Sequence, residues 1–198
     1  STRSHVACAS SSTNDTNSTW RRSSGDSATT NLRPSTSVTT VSGVASIDSM
    51  SARARRSLTI SYEYLGIATE QAGDSKGALE LQRRGLEIRE SLVTADPHNN
   101  DLRLMLIESH RYVGDLLAKL GDTSGAMKHY RKQLRLNDEM VAADAASVQF
   151  RSNQAVALIK VGDALVQNGK AGEALSNYRR ALQIRNELAT TSEADVFN

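Results

Sequence analysis

The sequence predicts an all-α chain: an α-solenoid of three antiparallel helical hairpins, preceded by a disordered Ser/Thr-rich segment. Three observations carry this expectation. Small residues recur at a fixed spacing of 48. Around them, apolar residues recur at helical spacing and charges fill the gaps. The composition also changes abruptly near residue 50.

Residues 1–50 hold 14 Ser, 9 Thr, four Arg, three acidic residues and one aromatic, Trp20. Neither the strand nor the helix apolar period runs through them. Such a segment does not bury enough apolar surface to offset chain entropy, so a disordered leader is expected. Asn14 and Asn17 stand in Asn-x-Thr sequons, and "RRSS" at 21–24 has the form of a basic phosphoacceptor site. Both patterns arise readily by chance in a Ser/Thr-rich tail. Met50 sits at the break, which makes the leader a candidate foreign extension. The one cysteine, Cys8, excludes an intrachain disulfide and a cysteine-based zinc site. A formal charge of +2 gives no strong field toward nucleic acid or a membrane surface. No run approaches the roughly 18 to 20 apolar residues of a membrane span. The N-terminus lacks the apolar core of a secretory signal. Neither nucleic acid nor membrane insertion is therefore expected; the location is expected to be cytoplasmic, unless the chain is a fragment of a membrane-anchored protein.

Residues 51–198 form the repeat domain, with units at about 52–99, 100–147 and 148–195. Gly66, Gly114 and Gly162 are each 48 residues apart, as are Gly73, Gly121 and Gly169, and Ala78, Ala126 and Ala174. Arg55, Arg103 and Arg151 align upstream. Self-similarity at a fixed period over three ungapped units is the signature of a solenoid.

Each unit reads as two helices. Helix A is expected over 52–72, 100–120 and 148–168, and helix B over 75–95, 123–143 and 171–191. Gly73, Gly121 and Gly169 fall where helix A should stop, since glycine enters the left-handed C′ position most cheaply. Asp74 and Asp122 then cap helix B, and Lys170 makes the third cap weaker. Pro97 ends the first helix B; Ala145 stands in its place in the second unit, so that stop is expected to be softer. Gly66, Gly114 and Gly162 in helix A are expected to lie against Ala78, Ala126 and Ala174 in helix B, letting the two helices approach closely. A mid-helix glycine costs about 1 kcal/mol against alanine, which close packing must offset.

These features resemble the tetratricopeptide repeat (TPR). Leu65-Gly66, Val113-Gly114 and Val161-Gly162 match its first element; Ala78, Ala126 and Ala174 match its second. Tyr130 and Tyr178 match its helix B aromatic, whereas Gln82 does not. The closing proline is missing at Glu90, Asp138 and Asn186. A period of 48 exceeds the usual ~34 by about four helical turns, so both helices are longer. The resemblance covers 52–192 and implies a short right-handed solenoid that binds partner proteins. More narrowly, "GLEIRESLVTADPHNNDLRL" is similar to the repeat tails of bacterial serine/threonine protein kinases. No Gly-rich loop, Val-Ala-x-Lys, His-Arg-Asp or Asp-Phe-Gly of a kinase domain is present.

No catalytic, cofactor-binding or metal residues are expected. His5, His98, His110 and His129 are dispersed, and no pair has metal spacing on one helix face. "GDTSG" is an inter-helix turn, repeated as "GDSKG" and "GKAGE". Asp138 and Glu139 are adjacent helix positions that point different ways.

Two surfaces remain. The basic pairs Arg83-Arg84, Arg131-Lys132 and Arg179-Arg180 would stack into a column. That column suits an acidic peptide or phosphates; the plainer reading is a solvated face paired with Glu80, Glu87 and Asp138. The second surface is the concave face lined by helix A. Some relatives clamp a C-terminal carboxylate with Asn just after the helix A glycine; here Ile67, Asp115 and Asp163 stand there. Two acids repel a carboxylate and suit a basic or neutral segment. The expected function is a non-catalytic protein-interaction scaffold. The alternatives are a structural or oligomerisation segment, or the regulatory tail of a kinase. "TTSEADVFN" is too short for a capping helix, and an open apolar end invites either self-association or a continuation of the parent array.

Overall fold

The computed structural model describes residues 47–196. The expectations for the leader up to residue 46, namely disorder, the sequons and the phosphoacceptor site, lie outside the described residues. The described residues open with a short 3-10 turn, Ile47–Ser49. Six helices follow: α1 (Ala52–Gln71), α2 (Ser75–Ala95), α3 (Asn100–Lys119), α4 (Thr123–Ala143), α5 (Val148–Gln167) and α6 (Ala171–Val196). No strand occurs among the described residues. Each helix packs chiefly on its neighbours in the chain, giving three antiparallel hairpins: α1–α2, α3–α4 and α5–α6.

The turn within each hairpin follows from one glycine. Gly73, Gly121 and Gly169 have φ of 93°, 86° and 73°. In the middle turn the Gly121 N–H donates to Ala118 O at 3.0 Å and the Asp122 N–H to Leu117 O at 2.9 Å. That is the Schellman pattern, and it recurs at Gly73 and Gly169. Nothing lies within 4 Å of a Cβ built at Gly121. The cost of replacing it is therefore purely conformational: Gly121→Ala is expected to lose roughly 1–2 kcal/mol, and Gly121→Asn less. Thermal melts followed by circular dichroism check both.

The residue after the glycine caps the next helix. Asp74 Oδ1 accepts from the Gly77 N–H and Asp122 Oδ1 from the Gly125 N–H, both at 2.8 Å. A Cβ at Gly77 or Gly125 would collide with that carboxylate, which explains the second glycine of "GDTSG". The third unit carries Lys170, which has no acceptor, and there Glu173 replaces the glycine and pairs with Lys170 at 3.1 Å.

The expected softer stop after α4 is not seen. The helix ends at Ala143, the counterpart of Ala95, without a proline. Asp144 makes the stop: its Oδ1 accepts from the Ala146 N–H at 3.1 Å, its carbonyl accepts from the Ser147 N–H, and Ser147 caps α5. α6 runs past the expected end at 191, to Val196.

The aligned arginines tie helix A to helix B. Arg103 pairs with Glu139 at 3.0 Å, Arg151 with Glu187, and Arg55 donates to Ser91 Oγ at 3.4 Å. Ala78, Ala126 and Ala174 are all buried in one core cluster with Leu79, Val113, Met127, Tyr130 and Val161. The nearest atoms to the helix A glycines, however, are not those alanines. A Cβ at Gly114 would sit 2.6 Å from Tyr130 Cε1, one at Gly162 2.5 Å from Tyr178 Cε1, and one at Gly66 2.6 Å from Gln82 Nε2. The glycines seat the side chain four residues after the alanine, and the alanine keeps that helix face thin.

Candidate functional site

Helices α1, α3 and α5 form one layer, and two clefts open on it. The first, about 380 Å³, is lined by Ile60, Glu63 and Tyr64 of α1, Leu104, Met105 and Glu108 of α3, and Arg89 of α2. Its wall is mostly apolar, and Tyr64 and Ile60 are exposed. Its floor is the buried Arg89 guanidinium, which donates to Glu63 Oε2 and Ser109 Oγ, both at 2.6 Å, and to Met105 O at 3.1 Å.

The second cleft, about 340 Å³, brings Asp115 and Asp163 together with Glu70, Lys119, Lys160 and Tyr130. Asp115 is well occupied. Tyr130 Oη donates to its Oδ1 at 2.7 Å, Lys160 Nζ lies 2.8 Å from the same oxygen, and Arg111 reaches Oδ2 at 3.2 Å. Asp163 accepts from Tyr178 Oη at 2.8 Å and makes no ion pair among the described residues. Burial and then the Asp115 bond push the Tyr130 hydroxyl well above its ordinary pKa, so it stays a donor. The Asp163 bond does the same, more mildly, to Tyr178. The two sequence-predicted acids are therefore unequal: Asp115 is held by three neighbours, and Asp163 is exposed and bonded to Tyr178.

The basic pairs divide. Arg84 pairs with Glu80 at 3.2 Å, Lys132 with Glu90 at 3.5 Å, and Arg180 with Asp138 at 3.6 Å. The last two bridge consecutive hairpins at equivalent positions. Arg83, Arg131 and Arg179 are exposed and make no ion pair among the described residues. Arg131 borders a third cleft with Lys128 and Lys170. The plainer reading thus fits the second member of each pair, and the first members carry what remains of a basic face.

The histidines hold a pairing that sequence spacing did not reveal. His110 of α3 and His129 of α4 meet across the hairpin with Nδ1 atoms 3.1 Å apart. Burial first, then His129, Lys132 and Arg135, drive the His110 pKa down to about 3. His129 is lowered as well, by burial and then by Lys132 and Arg83. Both are neutral at pH 7, one donating and one accepting. Among the described residues no group of three or more His, Cys, Asp and Glu could hold a metal ion. No described helix is long and apolar enough to cross a membrane.

No family model and no curated protein matches the chain. Two solved structures, both crystal structures of MamA, align with it at 17% and 18% identity. They cover 63% and 67% of this chain and 96% and 94% of their own, with TM-scores of 0.19 and 0.20. Superpositions that poor carry no argument, so the repeat architecture rests on the helices, turns and contacts described above.

Proposed function

We propose that this chain is a non-catalytic, TPR-like protein-interaction scaffold whose groove on α1, α3 and α5 binds an extended or helical segment with basic and apolar side chains. One observation carries the reading: an apolar cleft around Tyr64 and Met105 and a carboxylate-bearing cleft around Asp163 lie on the same helical layer. An anchor residue would enter the first and a Lys or Arg the second, on a largely preformed surface. The likeness to kinase repeat tails fits the same role, with the groove recruiting a protein to a catalytic domain encoded alongside.

The test is selection of a randomised displayed peptide library on the full chain. Enriched peptides should combine Lys or Arg with an apolar anchor. Tyr64→Ala and Asp163→Lys should each weaken them about tenfold, or 1.4 kcal/mol. Acidic enriched peptides, lost on reversing Arg83, Arg131 and Arg179, would move the site to helix B. No enrichment would remove the reading.

A further inference from the structure

The same repeat position is buried inside the array and exposed at its two described ends. Val113 and Val161 are 0% and 5% exposed, whereas their counterpart Leu65 in α1 is 55% exposed. Leu79 and Met127 are 9% and 8% exposed, whereas Leu175 in α6 is 46% exposed. Leu182, the counterpart of buried Leu86, is 59% exposed. Inside the array these positions meet where helix B of one hairpin packs on helix A of the next, at α2–α3 and α4–α5.

The two exposed faces are the two halves of that internal interface. On α1, Leu58, Ser61, Leu65 and Ala68 form one stripe at helical spacing, exposed from Ser61 on, while Leu58 is partly buried against Ile88 and Leu92. Their counterparts Leu106, Ser109, Val113 and Leu116 are all buried against α2 or α4 neighbours. On α6, Leu175, Tyr178, Leu182 and Arg185 form the matching stripe. Their counterparts in α2 are Leu79, Gln82, Leu86 and Arg89, also all buried.

The polar register recurs too. At the first junction Arg89 donates to Ser109 Oγ at 2.6 Å. Arg185 stands at the Arg89 position and Ser61 at the Ser109 position, so both halves of that contact are present, one at each end. The second junction lacks them, having Asn137 and Ala157. The end faces therefore carry the apolar positions and the Arg–Ser pair of the first internal junction, while Ile159 stands where Glu63 holds Arg89.

We propose that a second copy of this chain occupies each end face: α6 of one copy packs on α1 of the next as α2 packs on α3, making a head-to-tail array. The contact is heterologous, using different surfaces on the two partners, so it propagates rather than closing at a dimer. It is independent of the peptide groove, because Leu65 and Leu182 line neither cleft.

Sedimentation velocity of the full chain against concentration tests this. Wild type should show a mass that rises with concentration beyond a dimer. Leu65→Asp and Leu182→Asp, both at exposed positions, should each be monomeric with an unchanged circular dichroism spectrum. Mixed together, they should form a one-to-one complex and stop there, since each retains the face the other has lost. Wild type that stays monomeric at every concentration would overturn the proposal. So would either variant still forming dimers alone, which marks an isologous contact or another surface. Arg185→Glu should weaken assembly, and adding Ser61→Lys should restore it; no response to either would also count against the register.

Discussion

Gly114→Leu should lower stability by about 3 kcal/mol, or a melting temperature drop of roughly 6–12 °C for a chain of this size. The glycine lies in α3 directly under the Tyr130 ring, with a built Cβ 2.6 Å from Cε1. The ring has nowhere to retreat. It is buried in the main core cluster, and its hydroxyl is anchored to Asp115 at 2.7 Å. The helix-propensity gain of replacing glycine opposes this by less than about 1 kcal/mol. The alanine series should be graded. Gly114→Ala should cost most. Gly162→Ala should cost less, because Tyr178 is partly exposed and its ring can swing outward. Gly66→Ala should cost least, since the atoms it meets are the far end of the flexible Gln82. Equal melting temperatures across the three would mean the glycines do not act through the facing side chain. Pairing Gly114→Leu with Tyr130→Ala should recover part of the loss.

Acidification should destabilise the fold through the histidine pair. With its pKa driven down to about 3, His110 stays neutral in the folded chain, whereas the unfolded chain protonates it below its ordinary 6.5. Between those values the unfolded state holds more protons, so stability falls as pH drops through that window. At pH 5 the loss is about 2 kcal/mol for one such histidine. Burial sets the sign, and the groups facing the pair adjust it. Lys132 and Arg135 of α4 and Arg83 of α2 oppose protonation, while Glu90 of α2, 3.9 Å from His110 Nε2, favours it weakly. The third hairpin supplies the control, with Leu158 and Asn177 at the equivalent positions. A His110→Leu, His129→Asn double variant should keep more of its neutral-pH melting temperature at pH 5 than wild type does. Matching losses in the two proteins would assign the acid sensitivity to carboxylates elsewhere.

The helices and their ends were legible because their causes are local. A left-handed glycine, an Asp cap and an apolar period all act within a few residues, and repetition at 48 separated them from chance. The boundaries of α1 to α5 fell within a residue or so of expectation. What the sequence did not show are partners chosen across the hairpin. The Asp115–Tyr130 and Asp163–Tyr178 bonds had a readable trace: the first unit lacks both residue types at once, with Ile67 and Gln82. That paired absence marks a contact, whereas each residue alone looked like surface or core. The His110–His129 pair left no such trace, because neither residue recurs in another unit. For the same reason Asp115 looked like a free acid: the lysine that neutralises it lies 45 residues on, in the next hairpin.

The two junctions are each knotted at one charged side chain. Arg89 joins α2 to Glu63 of α1 and to Ser109 and Met105 of α3, and Asp115 joins α3 to Tyr130 of α4 and Lys160 of α5. Each node holds one hairpin together and grips its neighbour with the same side chain. A hairpin that frays therefore loosens the next one at once, because leaving either charge half-satisfied is costly in a partly dry setting. The array should consequently melt as one cooperative body rather than hairpin by hairpin. A pull or a binding event felt at α1 would then be transmitted as far as α5 by discrete polar contacts rather than by general packing.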